Sequence, residues 1–329
     1  MIITKTPFRV SFVGGGSDVK EFYEQSPGAV LSTTINKYMY ISSHRFFDVD
    51  KIRVKYSKTE TASNVNEIEH PIVREVLKKF KIEGAIEISS NADVPAGTGL
   101  GSSSSFTVGL LHNLYARQGK HTTKEKLAEE ACDIEISRLK EPIGKQDQYA
   151  AAFGGLNVLT FSPTGKVAVE PIHLKKDTFE ELQKNLLMFY TGDQRKTSAI
   201  LEEQKKNMQS EDKVETLKKM VALVGELRNA LYNGDLNEFG QLLNQNWTLK
   251  QKLASKITNP QINAHYEKAL KNGALGGKLL GAGGGGFLLF YCEEGKQDKL
   301  RNALTPLREL TFKFDTEGSK VIYVGDEYD

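Results

Sequence analysis

Along the first ninety residues, apolar and β-branched positions alternate partly with polar ones over 8–13, 38–43, 51–56 and 85–89, which predicts strands; 72–80 reads as a helix. From Ser104, residues Phe106, Leu110, Leu111 and Leu114 recur at helical spacing as far as Gly119. Thr122 and Glu125 have capping-box spacing ahead of Leu127, Ala131, Ile134 and Leu139, which predicts a second helix. Strands return at 155–161 and 167–172, and the charged stretch 175–184 reads as a domain boundary. Beyond it come a strand at 186–190, then helices over 198–209, 213–233, 236–254 and 260–272, with Gly234 and Gly273 where C-terminal caps belong. Residues 276–280, a glycine cluster, the apolar run 287–292, a helix at 297–307 and strands near 311–315 and 321–324 complete the chain. This order is mixed α+β, without regular βαβ alternation. A length of 329 residues predicts two domains, divided here into 1–178 and 179–329.

Composition narrows the function classes. The 44 Lys and Arg are interleaved with 42 Asp and Glu, leaving a formal charge of +2 and no massed basic face for nucleic acid. Cys132 and Cys292 form no metal-ligand spacing, which fits a reducing compartment. No run reaches the roughly 18 apolar residues needed to span a bilayer, and the N-terminal stretch lacks the features of a signal peptide. A cytoplasmic enzyme or binding protein, without nucleic-acid or membrane partners, is expected.

Three glycine or serine clusters carry the candidate chemistry: VGGGSD at 13–18, PAGTGLGSSSS at 95–105 and GAGGGG at 281–286. Each taken alone is also an ordinary tight turn. The middle one runs strand, glycine loop, serine run, helix, an order that aims unpaired backbone N–H groups and a helix N-terminus at an anion. One serine would serve as a helix cap; four also suffice to reach phosphate oxygens or Mg²⁺. The chain has no GxxxxGK[ST], HRD or DFG element. Its GxGxxG match at Gly281, Gly283 and Gly286 precedes a strand-like run instead of opening a helix, so a dinucleotide fold is disfavoured. Asp147, in GKQDQ, sits where a functional carboxylate or a cap would fit. Arg9, inside the apolar strand FRVSFV, requires a partner or a function. Arg195 and Lys196 follow YTGDQ and precede a helix; they are either a solvated basic pair or cations for a substrate phosphate.

Taken in order, PFRVSFVGGGSD, PAGTGLGSSSS, GKQDQ and KLLGAGGGGFLLF resemble the conserved segments of the GHMP kinases. RVSFVGGGSD, EPIGKQDQYAAAFGG and YTGDQR look most like the sugar 1-kinase branch, which includes bacterial kinases of D-glycero-D-manno-heptose 7-phosphate. The resemblance implies a two-domain α+β GHMP kinase fold. Its N-terminal ATP-binding domain would be like ribosomal protein S5 domain 2, its C-terminal domain ferredoxin-like α+β, and the site would lie between them. It implies ATP and Mg²⁺. Pro95, Gly97, Gly99, Leu100 and Gly101 would form the loop around the ATP phosphates, continued by Ser102, Ser103 and Ser104. Ser103 and Glu135 match metal-ligating positions, with Ser102 and Ser104 as rivals to Ser103. Asp147 matches the catalytic aspartate and Arg9 its neighbouring cation. Substrate contacts fall to Gly15, Gly16, Asp18, Lys145, Gly283 and Gly284, together with the Arg195 and Lys196 pair. GGGSD in place of the GEHTD of galactokinases argues against galactose. The implied activity is phosphorylation of a sugar anomeric hydroxyl, on heptose 7-phosphate; the alternatives are a fucose-like substrate or a catalytically silent sugar or nucleotide sensor.

Overall fold

The computed structural model describes residues 1–192 and 198–325. The first half comprises β1 (Ile2–Val13), α1 (Lys20–Tyr23), β2 (Gly28–Arg45), β3 (Ile52–Lys55), β4 (Thr59–Ala62), α2 (Pro71–Phe80) and β5 (Ile86–Ala92). These lead into α3 (Ser102–Arg117), α4 (Lys124–Cys132), α5 (Gln146–Phe153), β6 (Asn157–Phe161) and β7 (Val167–Pro171). There follow α6 (Lys176–Lys184), β8 (Leu186–Tyr190) and four helices, α7 (Ser198–Asn207), α8 (Glu211–Asn233), α9 (Leu236–Lys250) and α10 (Pro260–Lys271). The chain ends with β9 (Ala274–Leu279), β10 (Phe287–Cys292), α11 (Gln297–Leu304), β11 (Arg308–Glu309), β12 (Phe314–Asp315) and β13 (Lys320–Val324).

β2 organises the larger sheet. It runs beside β1 throughout, while on its other side its start pairs β6 and its end pairs β5. The sheet order is β13-β1-β2-β5-β3-β4, with only β3 and β5 parallel. α3 packs on β1 and β2, Gly109 lying against Thr6 and Ile41 and the Ser105 hydroxyl donating to the Pro7 carbonyl, while its Val108, Leu110, Leu111 and Leu114 are fully buried in the core. The smaller sheet is antiparallel, in the order β11-β8-β10-β9. Together with its helices this is the β-α-β-β-α-β arrangement of a ferredoxin-like domain, expanded between its first two strands by α7 to α10. The two-domain α+β architecture implied by the sequence is therefore the one observed.

The charged stretch 175–184 forms α6, an amphipathic helix with Leu182 fully buried, because its charges lie on one face. The cap of α4 is Thr123, whose hydroxyl accepts from the Lys126 amide at 3.2 Å, and not Thr122. β12 and β13 cross back from the C-terminal half to pair β2 and β1, so the larger sheet draws on both ends of the chain. The apolar core is also continuous between the halves: Phe12 of β1 meets Phe239 of α9 edge to face at 5.2 Å.

Candidate active site

The site begins at the N-terminus of α3. Gly101, in the left-handed region at φ +75°, is its N-cap residue and provides no side chain to bond the first-turn amides. A Cβ on Gly101 would lie 3.1 Å from Asp147 Oδ2. Glycine thus opens the helix end to a cavity of about 240 Å³ lined by Gly97, Gly99, Ser102, Ser103, Ser104, Arg9 and Asp147, among others. None of the four serines caps the helix. The Ser103 hydroxyl donates to Glu135 Oε1 at 2.6 Å, and that of Ser105 to the Pro7 carbonyl at 2.9 Å.

Arg9 and Asp147 form the opposite wall. Arg9 Nε and Nη2 donate to Asp147 Oδ1 and Oδ2 at 2.8 and 2.9 Å, a bidentate pair, while Nη1 donates to the Gly99 carbonyl. Arg9 on β1, Asp147 on α5 and the glycine loop are thereby fixed to one another.

Glu135 lies on a π-helical turn, Asp133–Arg138, that continues α4; such widened turns recur at functional sites. Its carboxyl is wholly buried, and burial pushes its pKa up to about 7 against the opposing hydrogen bonds from Ser103, Gln148 and Ser104. Gln148 Nε2 donates to Glu135 Oε2 at 2.8 Å, while Gln148 Oε1 is buried without a partner. A hydroxyl, a buried carboxylate and an unpaired amide oxygen form an all-oxygen set, which fits the ligand preference of Mg²⁺. Among the described residues no group of three or more His, Cys, Asp and Glu side chains is arranged to hold a metal, so such an ion would take its remaining ligands from phosphates and water.

Asp18, at the end of the first glycine cluster, is buried yet lines the cavity. It accepts from the Gly16 amide at 3.0 Å and from the Gln146 amide and Nε2, both at 3.2 Å. Burial raises its pKa, the Asp147 charge adds to this, and the backbone donors oppose it. An anchored carboxylate beside Asp147 is suited to receive acceptor hydroxyls.

The third cluster closes the cavity from the C-terminal domain by backbone contact. A Cβ on Gly99 would lie 2.4 Å from the Leu280 carbonyl oxygen, and one on Gly281 2.5 Å from Gly99 Cα. Only glycine permits that approach.

Several predicted residues sit elsewhere. Lys145 turns away: its ammonium donates to the Gly165 carbonyl at 2.6 Å and lies over the Tyr23 ring, outside this cavity. Gly283 and Gly284 back onto Ile257, the Gly284 amide donating to its carbonyl at 2.9 Å; Gly281 and Ala282 are the members of that cluster that line the cavity. Gly15 faces Ser11 and Gln146. Pro95 is exposed, its carbonyl accepting from Thr98 Oγ1, and the Leu100 side chain is buried in the core while its carbonyl accepts from the Arg9 amide. Arg195 and Lys196 lie outside the described residues.

Other residues in and beneath the cavity carry no assignment from the sequence. Lys250, at the end of α9, reaches the cavity and donates to the Gly281 carbonyl at 2.6 Å. Lys278 of β9 is buried beneath β1 and donates to the Ser11 and Phe12 carbonyls at 2.7 and 2.9 Å. A lysine on a buried helix face and a lysine inside an apolar strand were the available signals. Gln146 and Gln148, which flank Asp147, anchor Asp18 and Glu135 respectively, roles that nothing in the GKQDQ sequence marks.

Comparison with known proteins accords with this geometry. The family models described as GHMP kinases N terminal domain and GHMP kinases C terminal match residues 56–155 and 227–306, together more than half of the chain. The D-glycero-alpha-D-manno-heptose 7-phosphate kinase of Campylobacter jejuni is 29% identical over 97% of this chain and 98% of its own length. A galactokinase of Pyrococcus furiosus is 26% identical over 95% of this chain and 94% of its own. The crystal structure of a D-glycero-D-manno-heptose 1-phosphate kinase from Bacteroides thetaiotaomicron has the same fold, with a TM-score of 0.82 at 24% identity over 99% of this chain and 100% of that one. With a family model matched in each half and the 95–105 glycine loop, the Arg–Asp pair and the C-terminal glycine cluster converging on one cavity, the chain belongs to the GHMP kinases, a family of ATP-dependent phosphotransferases.

Proposed function

We propose that the chain phosphorylates the anomeric hydroxyl of a sugar with ATP, and that the sugar is a heptose already carrying a phosphate, such as D-glycero-D-manno-heptose 7-phosphate. The observation that carries the phosphotransfer is the bidentate Arg9–Asp147 pair facing the open N-terminus of α3 across one cavity. The first-turn amides and the glycine loop hold the phosphates. Asp18 orients the acceptor, and Asp147 receives the hydroxyl proton or aligns the hydroxyl for attack. Ser103 and Glu135 would hold Mg²⁺, which supplies neutralisation of phosphate charge.

Two observations support a phosphorylated acceptor. One is the similarity to the Campylobacter jejuni enzyme along nearly the whole chain. The other is a space of about 300 Å³ that adjoins the cavity at Asp18, Glu141 and Ile143 and is bordered by Lys20, Lys140, Lys145 and Lys205. Asp18, Glu21 and Glu141 offset most of that charge, Glu21 pairing with Lys205 at 3.3 Å, and Lys20 pairs with Glu24 at 3.6 Å. The four lysines against three carboxylates leave a slight cationic excess on the acceptor side.

An ADP-release assay across a panel of acceptors tests both levels of the reading. It should contain phosphorylated and unphosphorylated heptoses, galactose and fucose. A kcat/KM for heptose 7-phosphate at least tenfold above every unphosphorylated sugar is expected. Preference for an unphosphorylated sugar would refute the heptose phosphate assignment, and ADP release with no acceptor would refute the sugar kinase assignment.

A further inference from the structure

Among the described residues two cationic side chains line the cavity, Arg9 and Lys250, and they differ in what they have left to offer. Arg9 is committed: Nε and Nη2 to the two oxygens of Asp147, and Nη1 to the Gly99 carbonyl. It cannot turn to a passing anion without releasing Asp147. Lys250 is nearly as buried, at 6% exposure, because its helix face continues through Leu243, Asn246 and Trp247 into the core. Among the described residues its hydrogen-bond partner is the Gly281 carbonyl, and no carboxylate lies within ion-pairing distance of it. Two of its three N–H donors are therefore open toward the cavity.

A buried ammonium in that state is costly unless an anion joins it. Burial lowers its pKa to about 8, Arg9 pushes the same way, and Asp18 and Asp147 oppose. Its location says which anion. Gly281, whose carbonyl holds the ammonium, abuts Gly99 backbone to backbone, so Lys250 stands at the mouth of the phosphate loop on the side of Arg9 and Asp147. That is the junction between the nucleotide phosphates and the acceptor hydroxyl.

We propose that Lys250 is a catalytic residue whose ammonium contacts the phosphoryl group in flight and neutralises charge on its non-bridging oxygens. The assignment rests on the kinase reading of the cavity. In the step concerned, the acceptor oxygen forms a bond to the γ-phosphorus and the bond from that phosphorus to the β,γ-bridging oxygen breaks. The electron pair leaves with ADP, and the hydroxyl proton passes by way of Asp147 to solvent. Lys250 keeps its proton throughout and acts by charge alone, while Arg9 holds Asp147 in place.

The test uses the full chain carrying Lys250→Gln, which keeps a donor for the Gly281 carbonyl but removes the charge, with Lys250→Arg and Lys250→Met beside it. Three quantities are read: kcat and KM with the best acceptor of the panel, Tm, and the affinities for ADP and for ADP with magnesium, aluminium fluoride and the sugar, a mimic of the group in flight. In Lys250→Gln we expect kcat to fall by about 10²- to 10³-fold with KM values within about threefold. Tm should hold, and the extra affinity for the fluoride complex over ADP alone should drop at least tenfold; Lys250→Arg should recover part of both losses. Lys250→Gln turning over within about threefold of wild type would overturn the assignment. So would equal losses of ADP and fluoride-complex affinity, which would make Lys250 a nucleotide clamp, or a rate loss accompanied by a fall in Tm in Lys250→Gln as in Lys250→Met, which would make it a pin for the glycine cluster. Wild-type protein inactive on every acceptor would overturn the kinase reading and this assignment together, whereas active wild type with active Lys250→Gln overturns this assignment alone.

Discussion

Glu135→Gln separates the structural cost of a buried carboxylate from its use. The carboxyl is wholly buried, accepts from Ser103 and Gln148, and has a pKa raised from 4.5 to about 7, chiefly by burial. Between those values the folded protein holds a proton that the unfolded chain has released, so stability falls as pH rises from about 4.5 to 7 and no further above that. The full cost corresponds to roughly 3 kcal/mol at pH 8. Gln fits the same hydrogen bonds, its oxygen accepting from Gln148 and its amide donating to the Ser103 hydroxyl, but carries no charge. Scanning calorimetry of the metal-free protein should show the wild-type Tm declining from pH 5 to 8 and a flatter profile for Glu135→Gln. At pH 8 the variant should be the more stable by about 1–3 kcal/mol, since the Gln side chain carries no charge to bury. Magnesium should reverse the ranking: added to the ADP complex, it should raise Tm in the wild type and barely in Glu135→Gln, with metal affinity down about 10- to 100-fold. An unchanged pH slope in the variant would refute the burial argument, and an unchanged response to magnesium would remove Glu135 from the metal site.

Asp147→Asn should lower kcat by about 10²- to 10⁴-fold while isothermal titration finds ADP affinity nearly unchanged; near-normal turnover would exclude Asp147 from the chemistry. Gly281→Ala places a methyl 2.5 Å from Gly99 Cα at a backbone φ of +75°, so the two glycine clusters must part: Tm should fall by the equivalent of about 1–3 kcal/mol and kcat/KM by more than tenfold. Gly295→Ala, with nothing within 4 Å, should change neither, and equal behaviour of the two variants would refute the close-approach argument. Lys278→Met strands the Ser11 and Phe12 carbonyls and should destabilise by about 1–3 kcal/mol in denaturant melts, an expectation that a more stable variant would overturn.

The fold was legible where one periodicity ruled a segment. The helices from Ser198 to Lys271 and the strands β1, β8 and β10 were readable because their apolar positions repeat at a single spacing and glycines such as Gly234 end them. α6 gives no helical signal in sequence because charge density hides an amphipathic helix when only a few positions face the core. β4, with the sequence TETA and largely exposed, has too little apolar character to announce a strand; its pairing with β3 makes it one. The return of β12 and β13 to the first sheet is non-local, and neither strand carries any mark of its partner.

The site was legible in a different way, through residue types that conflict with their surroundings. Arg9 in an apolar strand and a serine run at a helix start are local conflicts, and both prove to be resolved inside the cavity, by Asp147 and by Glu135. The same logic applied to Lys250 and Lys278 would have flagged them. Each occupies a position that its element turns inward, the last turn of α9 and the end of β9, but a lysine is usually excused as one that reaches solvent along its stem. Neither can do so here: Lys278 ends on β1 carbonyls of the facing domain and Lys250 on the glycine cluster that abuts the 95–105 loop. Whether an inward lysine snorkels to water or is trapped is decided by what packs on top of it, and for Lys278 that is a strand more than two hundred residues away in the chain. Lys145 is the converse case: two residues before Asp147 in sequence, it is directed by the start of α5 to Gly165 and borders the adjoining space, not the cavity that Asp147 lines. Neighbours in sequence at a helix start point in different directions, so proximity along the chain is weak evidence of lining the same cavity, whereas an inward-facing charge without a local partner is strong evidence that the partner arrives from elsewhere in the fold or with the substrate.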